Sequence, residues 1–364
     1  MIPRKRQRIA VAMSGGVDSS LAALLLLKEG CEAIGLTFRM WPKEECGVSF
    51  GRACCDLEAV TRSRAVAEDL KIPYYVFDLS AEFKKQVIDY FCEEYLNGRT
   101  PNPCVICNEK IKFGLLYEKA LALDAGEIAT GHYAKAVFDK KKGRYLLKES
   151  AGKDNDQTYF LFTLSQGQLK HVIFPLAEYN KEKTRKFAKK FKLKTYNTIS
   201  SQDVCFIHDQ NYADYIRKRT GVAMKEGDVV DRDGKVLGRH KGIPFYTIGQ
   251  RRGLGIAHKE PLYVTGIDRS ANRVIVGTKK DVLKKGLIAD KLNWISIEAL
   301  DKPLRVKAKI RYNHKRADAL ITPSGSGQVR VDFDIPQEAP TPGQAVVFYD
   351  KDVVVGGGWI REVV

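Results

Sequence analysis

The sequence predicts an α/β protein with an N-terminal doubly wound parallel sheet, a small central domain and a C-terminal antiparallel β-barrel. Three observations predict it. The first half alternates short β-branched apolar runs with longer helical patterns, an Asp-Gly turn signal follows position 230, and strictly alternating runs fill the C-terminal part. The predicted domains cover residues 1–207, 208–285 and 286–364.

Periodicity places the elements of the first half in order. Strands are predicted at residues 9–12, 33–38, 74–77 and 127–130, where short apolar runs are bounded by polar or glycine residues. Helices are predicted at residues 19–29, 56–70, 82–96 and 112–123, and Gly30 ends the first of them. This alternation is typical of a parallel sheet covered on both faces.

The second half has a different pattern. A short helix is predicted at residues 211–220, and Asp233-Gly234 predicts a hairpin over residues 229–237. Residues 305–312 alternate as a strand with four cations on one face, and Val329, Val331, Phe333 and Ile335 alternate likewise. Residues 345–349 and 353–355 predict a further hairpin, which completes a small barrel.

Composition narrows the class of partner. The chain has 61 Lys and Arg against 44 Asp and Glu, a net charge of +17, which favours polyanions such as nucleic acid. No apolar run reaches the ~18 residues of a membrane span, so no membrane partner is expected. Eight cysteines in 364 residues are too few for a disulfide framework, so we expect a reducing, cytoplasmic location.

A glycine-containing loop follows the first predicted strand and opens the first predicted helix. Residues 14–20 read Ser-Gly-Gly-Val-Asp-Ser-Ser, and such a loop lets backbone amides and the helix N-terminus face a phosphate. It lacks the Gly-Lys-Ser/Thr of the Walker loop. It resembles the loop of the ATP-pyrophosphatase family, whose members adenylate a substrate oxygen, with Mg²⁺ on the phosphates and Asp18 as a direct or water-mediated ligand.

Three cysteines form a second candidate functional feature of the sequence. Cys104 and Cys107 form a Cys-x-x-Cys pair between two helical patterns, in a segment that we predict to be a loop stiffened by prolines. Cys205 lies 98 positions after Cys107, where a second loop could return to the same crevice. The pair could also be half of a zinc site or a redox pair, although the missing second Cys-x-x-Cys argues against structural zinc. Cys46, Cys54 and Cys55 receive no role.

Over nearly its whole length, the chain resembles one family, the bacterial-type tRNA-specific 2-thiouridylases. The resemblance is carried, in order, by residues 12–20, 100–108, 110–114, 130–134, 156–161, 201–207, 240–242 and 246–256. It implies a first domain of the adenine nucleotide alpha hydrolase type and a tRNA-contacting central domain. It also implies an ATP-dependent sulfurtransferase that replaces the 2-oxygen of the wobble uridine with sulfur, giving 2-thiouridine, AMP and pyrophosphate.

The resemblance assigns roles to individual residues. It makes Cys107 the catalytic thiol and Cys205 the persulfide-bearing thiol. ATP contacts fall on Ala12, Met13, Ser14, Gly15, Gly16, Val17, Asp18, Ser19, Phe38 and Gly131. Contacts to the target base fall on Asn102, Pro103 and Cys104, and other tRNA contacts on His132, Asn155, Asp156, Gln157, Arg311, Tyr312 and Gln344. Ala12, Phe38 and Asn155 replace the family's common Gly, Met and Lys.

Cys104 is the main departure, because better-known members carry Asp there, and it leaves two mechanisms open. Cys104, Cys107 and Cys205 could hold a four-iron four-sulfur cluster whose open iron binds hydrosulfide, which is a hypothesis until iron is measured. Alternatively, Cys205 receives a persulfide from a donor such as a persulfide carrier or a cysteine desulfurase, its terminal sulfur attacks the activated carbon, and Cys107 resolves the bond.

Two other functions and one surface complete the predictions. The chain could be another ATP-pyrophosphatase enzyme, but we find no glutaminase site. It could also be a non-catalytic RNA-binding or sulfur-carrying protein, but the intact loop and the three site cysteines disfavour that function.

Residues 181–194 form a basic run in which Phe187 and Phe191 could share one helix face. Such a run is usually a solvated helix, but here we expect phosphate contacts.

Overall fold

The computed structural model describes residues 7–40, 57–198, 204–207, 212–325 and 327–364. The chain forms two compact units. The first unit comprises Met1–Val87, Cys104–Phe206 and Asp352–Val354, and the second comprises Ile88–Pro103, Ile207–Lys351 and Val355–Val364. The three predicted domain boundaries stay a prediction.

A five-stranded parallel sheet forms the centre of the first unit. The strands of this unit are β1 Arg8–Ala12, β2 Glu32–Arg39, β3 Tyr74–Asp78, β4 Glu127–Thr130, β5 Ala134–Asp139, β6 Arg144–Glu149 and β7 Val172–Ile173. The sheet order is β3-β2-β1-β4-β7, and every neighbouring pair is parallel. Strand order therefore reverses between β1 and β4, and ligands of open α/β sheets bind at the carboxyl ends of the strands at such a point.

Helices cover this sheet because its strands are apolar on both faces. Ile9, Ala10 and Val11 of β1 are fully buried, as expected for a central parallel strand. In the described part of the chain, the α-helices are α1 Val17–Lys28, α2 Leu57–Leu70, α3 Ser80–Phe83, α4 Asp89–Leu96, α5 Pro103–Ile106, α6 Leu116–Leu121, α7 Gln166–His171, α8 Lys181–Lys190 and α9 Tyr212–Thr220. Short 3₁₀ turns lie at Lys153–Asn155, Thr158–Phe160 and Ile243–Phe245.

Two helical regions differ from their prediction. The predicted helix 82–96 begins earlier, as α3, passes through a π-helical segment at Lys84–Ile88 and continues as α4. The predicted cysteine loop is wrong, because α5 starts at Pro103 and runs into a π-helical segment at Cys107–Leu115 before α6. Proline stiffens a loop, but it is equally accommodated in the first turn of a helix, where its missing N–H has no intrahelical partner.

The second unit contains a four-stranded sheet. Its strands are β8 Gly227–Val230, β9 Val236–His240, β10 Tyr263–Asp268 and β11 Arg273–Gly277, in the order β10-β11-β8-β9. The predicted Asp-Gly hairpin is confirmed by β8 and β9, and Gly234 adopts a φ of +85° in the turn between them. The predicted helix 211–220 is α9 from Tyr212 onward.

A closed antiparallel barrel completes the second unit. Its strands are β12 Leu283–Trp294, β13 Leu304–Lys309, β14 Ala317–Pro323, β15 Val329–Glu338, β16 Ala345–Asp350 and β17 Val353–Val363. They pair in the order β12-β15-β14-β13-β16-β17, and β12 also pairs with β17. In the first unit, Val353 of β17 pairs with Lys148 of β6.

Two details of the barrel prediction are wrong. The alternation predicted through residue 312 ends with β13 at Lys309, because Arg311 donates hydrogen bonds to the segment that follows β15. Ile335 does not face the core but is 73% exposed, although Val329, Val331 and Phe333 are buried as predicted. The α/β fold class with its parallel sheet and C-terminal barrel is confirmed. Within the described ranges, every helix is too short or too polar to span a bilayer.

Candidate functional site

The loop between β1 and α1 lies at the carboxyl end of the central strand, where strand order reverses. Gly15 has a φ of +69°, and a Cβ there would lie 2.6 Å from the carbonyl oxygen of Ala59, so this position requires glycine on both counts. Ser19 Oγ accepts from the backbone N–H of Ser14 at 3.1 Å and donates to the carbonyl of Gly16 at 3.2 Å. The loop is thus closed on itself before α1 begins.

The predicted ATP residues Ala12 to Ser19 follow one another through this turn. Met13 and Val17 are buried and fix it to the core, and the Met13 carbonyl accepts from Thr37 Oγ1 at 2.7 Å. Ala12, Ser14, Gly16 and Asp18 are half-buried. Phe38, the ATP contact predicted on β2, is 5% exposed one residue beyond Thr37.

Asp18, in the first turn of α1, is held by two side chains. The Tyr133 hydroxyl donates to Asp18 Oδ1 at 2.7 Å, and the Lys181 ammonium lies 2.5 Å from Asp18 Oδ2. Lys181 also stands 4.8 Å from the centroid of the Tyr133 ring, a cation–π distance. Burial, followed by the Asp18 charge, raises the pKa of the Tyr133 phenol, so it stays a neutral donor.

Gly131 brings the turn after β4 against the start of α1. A Cβ on Gly131 would lie 2.7 Å from the backbone nitrogen of Ser19 and 2.8 Å from the carbonyl carbon of Asp18. Real side chains do not approach backbone so closely, so glycine is required here for close packing and not for its φ angle. The structure therefore brings Gly131 together with the predicted loop at Asp18 and Ser19.

Gln157 connects the same turn to the predicted tRNA segment 155–157. Its Oε1 accepts from the Tyr133 N–H at 3.0 Å, and its own N–H donates to the Tyr133 carbonyl at 2.9 Å. Asp156 is 5% exposed, and its Oδ2 accepts from Thr158 Oγ1 at 2.6 Å. Asn155 is half-buried at the end of a 3₁₀ turn. Gln157 thus attaches segment 155–157 to the turn that carries Tyr133.

His132 lies between Gly131 and Tyr133 in this turn. Its Nδ1 is 2.8 Å from Thr130 Oγ1, and its ring lies 5.8 Å from that of Phe113. Burial, followed by the charges of Lys112 and Lys181, lowers the pKa of the imidazole well below its usual value. The ring is therefore neutral at pH 7, and a Thr130 hydroxyl that donates to Nδ1 leaves Nε2–H as a hydrogen-bond donor.

The three predicted sulfur-chemistry cysteines all belong to the first unit. Cys104 is exposed, Cys107 is buried where the π-helical segment begins, and Cys205 is half-buried next to Phe206. The Phe206 ring is fully packed and lies 6.0 Å from that of Phe83. Among the described residues, which include all three cysteines, no three His, Cys, Asp or Glu side chains are grouped so that they could hold a metal ion. The arrangement does not fit the proposed iron–sulfur site.

The remaining predicted tRNA contacts lie in the second unit. Gln344 Nε2 donates to the carbonyls of Thr100 and Pro101, both at 3.1 Å, and so holds the chain just before Asn102 and Pro103. Arg311 donates to the Ala339 carbonyl and to Thr341 Oγ1, and the backbone N–H of Gln344 donates to the Thr341 carbonyl at 3.1 Å. The Lys309 ammonium lies over the Tyr312 ring, 5.2 Å from the ring centroid. These contacts connect Arg311 to the segment before Asn102.

Some of the predicted features lie outside the described residues. These are Cys46, Cys54, Cys55 and residues 201–203 of the Cys205 segment.

Lys181 and Tyr133 belong to the loop site, although the sequence did not predict them there. Lys181 was predicted only as part of a basic run, because it lies 163 positions after Asp18. Nothing distinguishes it from the other cations in sequence, since the whole run is basic. Tyr133 lies within the 130–134 segment, but neither spacing nor composition indicates that a tyrosine bonds Asp18.

The chain matches known proteins over its whole length. Three family models match in order: a tRNA methyl transferase HUP domain over residues 7–209, a tRNA methyl transferase PRC-barrel domain over 213–278 and an aminomethyltransferase beta-barrel domain over 284–360. A tRNA-specific 2-thiouridylase MnmA of Acetivibrio thermocellus is 50% identical over 98% of this chain and 99% of its own length.

Two further relatives carry the same description. That of Thermoanaerobacter sp. (strain X514), named MnmA 2, is 51% identical over 97% of this chain and 98% of its own. That of Clostridioides difficile (strain 630) is 46% identical over 98% of both chains. The similarity is thus full-length in both directions.

Proposed function

Because the chain belongs to the tRNA-specific 2-thiouridylase family, we propose that its site adenylates the 2-oxygen of the wobble uridine and replaces it with sulfur. The chain is accordingly a tRNA-modifying sulfurtransferase that uses ATP. The observation that carries the assignment is the self-closed loop from Ser14 to Ser19, sealed by Gly131 at the carboxyl edge of a parallel sheet. Phosphate-binding loops of this fold class lie at that position.

Our proposal for the first step uses the loop. The backbone amides of Gly15 and Gly16 and the N-terminus of α1 bind the phosphates, and the uridine oxygen attacks the α-phosphorus. A bond forms between that oxygen and phosphorus, and pyrophosphate leaves. Mg²⁺ would neutralise charge on the phosphates, and Asp18 would hold it directly or through a water. Each Asp18 oxygen keeps a lone pair beyond its present hydrogen bond.

Sulfur transfer is the second step of the proposal. A persulfide on Cys205 attacks the activated carbon with its terminal sulfur, and AMP leaves with the former 2-oxygen. The Cys107 thiolate then attacks the bridging sulfur, which releases thiolated uridine and leaves a Cys107–Cys205 disulfide for a dithiol reductant to reduce. The sulfur donor is a persulfide carrier or a cysteine desulfurase. With few cysteines available for disulfides, the reaction is proposed to take place in the reducing cytoplasm.

The experiment supplies ATP, Mg²⁺, a persulfide donor and unmodified tRNA to the full chain. We expect one AMP for each 2-thiouridine, both dependent on tRNA, as measured by nucleotide chromatography and nucleoside mass spectrometry. The matched control is the same tRNA with cytidine at the wobble position, which should give neither product. AMP release that ignores tRNA, or thiolation at another nucleotide, would contradict the assignment.

Iron content separates the two sulfur mechanisms. Anaerobically purified chain should contain almost no iron or acid-labile sulfide under the persulfide mechanism, in agreement with the arrangement of the cysteines. About four iron and four sulfide per chain, lost on Cys104→Asp with loss of activity, would instead establish the cluster route with hydrosulfide as donor.

Lys181 should contribute to nucleotide affinity through Asp18. The Lys181 ammonium orients the Asp18 carboxylate and contributes positive potential at the loop. Lys181→Met removes both effects, so ATP should bind about tenfold more weakly. Equilibrium dialysis without tRNA measures this directly. Lys183→Met is the control, because Lys183 is exposed and, among the described residues, only its backbone N–H is hydrogen-bonded, to Asn180 Oδ1. Equal ATP affinity in both variants would exclude this role.

A further inference from the structure

The cations of α8 and of the four residues that follow it are more numerous than the fold requires. From 181 to 194 the basic residues are Lys181, Lys183, Arg185, Lys186, Lys189, Lys190, Lys192 and Lys194, with Glu182 as the acidic residue. Three of them have carboxylate partners: Lys181 with Asp18, Lys186 with Glu182, and Lys194 with Asp69. For Lys183, Arg185, Lys189, Lys190 and Lys192, all exposed, no ion pair forms with any described residue.

The apolar side of α8 fixes it to the site. Thr184 and Ala188 are fully buried, and Ala188 packs in one cluster with Val17 and Leu21 of α1. The Thr184 hydroxyl lies 2.9 Å from the Tyr133 hydroxyl. The helix is therefore attached to the element that carries the phosphate loop, and its first residue, Lys181, reaches that loop.

The opposite side of α8 carries only charge. On a helical wheel, Arg185, Lys186, Lys189 and Lys190 share the arc away from Thr184 and Ala188, and Arg185–Lys189 and Lys186–Lys190 are four residues apart. Like charges at this spacing repel, and cations in the first turn oppose the helix dipole. Lys189 and Lys190 favour the helix dipole because they lie in the last turn, but that does not remove the repulsion along this face. A bound polyanion would relieve the repulsion and release its own counterions.

We propose that the exposed face of α8 and of the turn after it, formed by Lys183, Arg185, Lys189, Lys190 and Lys192, binds the sugar-phosphate backbone of the tRNA. The proposal rests on the proposed function, since it takes tRNA to be the substrate. Flexible cations spaced along a helix suit phosphates and carry no base readout, so this face contributes affinity and orientation and not sequence choice. Its attachment to α1 aligns bound tRNA with the nucleotide loop.

The test compares two variants with the same decrease in charge. Arg185→Gln/Lys189→Gln removes two cations of the proposed face. Lys119→Gln/Lys170→Gln removes two exposed lysines from the last turns of α6 and α7, the helices that precede β4 and β7. Because those turns meet the amino ends of the parallel strands, the control pair lies at the sheet edge opposite the loop.

The affinity of each variant for unmodified tRNA is measured over a range of KCl concentrations. For the α8 variant we expect Kd to rise about tenfold, and the slope of log Kd against log salt to fall by about two, because each removed cation leaves one phosphate with its counterion. The control pair should keep both values. Arg185→Lys/Lys189→Arg, which retains the charge, should keep the slope, and the Kd for ATP should be unchanged throughout.

Equal tRNA affinity and slope in the two double variants would overturn the proposal. The proposal would also be overturned if the α8 variant bound tRNA normally but accepted sulfur more slowly from a persulfide carrier protein. That result would indicate that the face binds an acidic protein and not tRNA. Failure of the proposed function is distinguishable, because the unsubstituted chain would then neither bind tRNA in a salt-dependent way nor thiolate it.

Discussion

Cys107→Ser should abolish sulfur transfer, with a decrease in 2-thiouridine formation of at least about 10³-fold. Serine has nearly the size of cysteine and should fit the buried start of the π-helical segment. At neutral pH its hydroxyl cannot attack the sulfur that bridges Cys205 and the uridine adduct, because it is neither ionised nor soft. Single-turnover thiolation with excess enzyme measures the decrease without interference from product release.

A second cysteine provides the control for this result. Cys92 in α4 is 3% exposed, and burial raises the pKa of its thiol to about 11, so it is a protonated packing group at pH 7. Cys92→Ala should lower stability modestly and leave the thiolation rate of folded enzyme unchanged. If Cys107→Ser kept more than a tenth of the activity, Cys107 would not be the resolving thiol.

Mass spectrometry of the intact chain separates the two thiol roles. After incubation with a cysteine desulfurase and cysteine, Cys107→Ser should still gain one sulfur atom, because Cys205 remains to carry the persulfide. Cys205→Ser should gain none under the same conditions. A gain of sulfur in the Cys205 variant would move the persulfide to another cysteine.

Local signals explain which parts of the fold were predictable from sequence. The strand 9–12, the glycine turn and the helix after it are encoded within some twenty residues, by apolar periodicity and by consecutive glycines. The β8–β9 hairpin was equally predictable, since one Asp-Gly pair specifies the turn. The helical structure at Cys104 and Cys107 was not, because Pro103 suits both a loop and a helix start.

Long-range contacts explain what was missed in the site. The Lys181–Asp18 pair joins residues 163 positions apart, and Gln344 reaches Thr100 across 244 positions. The two-residue strand β7 carries too little pattern to be recognised, although it ends the parallel sheet. Such partners are selected by tertiary packing, which one sequence does not display. The site residues known from the family resemblance could be placed, but not their hydrogen-bond partners.

Gly131→Ala should strongly weaken ATP binding while leaving the rest of the fold in place. The added methyl carbon would meet the backbone nitrogen of Ser19 at 2.7 Å and the carbonyl carbon of Asp18 at 2.8 Å. Both contacts are with backbone at the start of α1, so no side-chain rotation can relieve them. The start of α1 must move, and the phosphate-binding amides move with it. A misplacement of about 1 Å costs on the order of 10²-fold in the rate of a positioned reaction, and we expect a loss of similar size in ATP affinity.

We therefore expect the Kd for ATP to rise by about 10²-fold, measured by equilibrium dialysis, and the free energy of unfolding to fall by about 1–3 kcal/mol, measured with urea. Gly126→Ala is the matched control, because Gly126 stands just before β4 as Gly131 stands just after it, and a Cβ there meets nothing within 4 Å. The same chemical change at the two ends of one strand then differs only in what the methyl group contacts. If both variants bound ATP as tightly as the unsubstituted chain, the close approach of Gly131 to α1 would not support nucleotide binding.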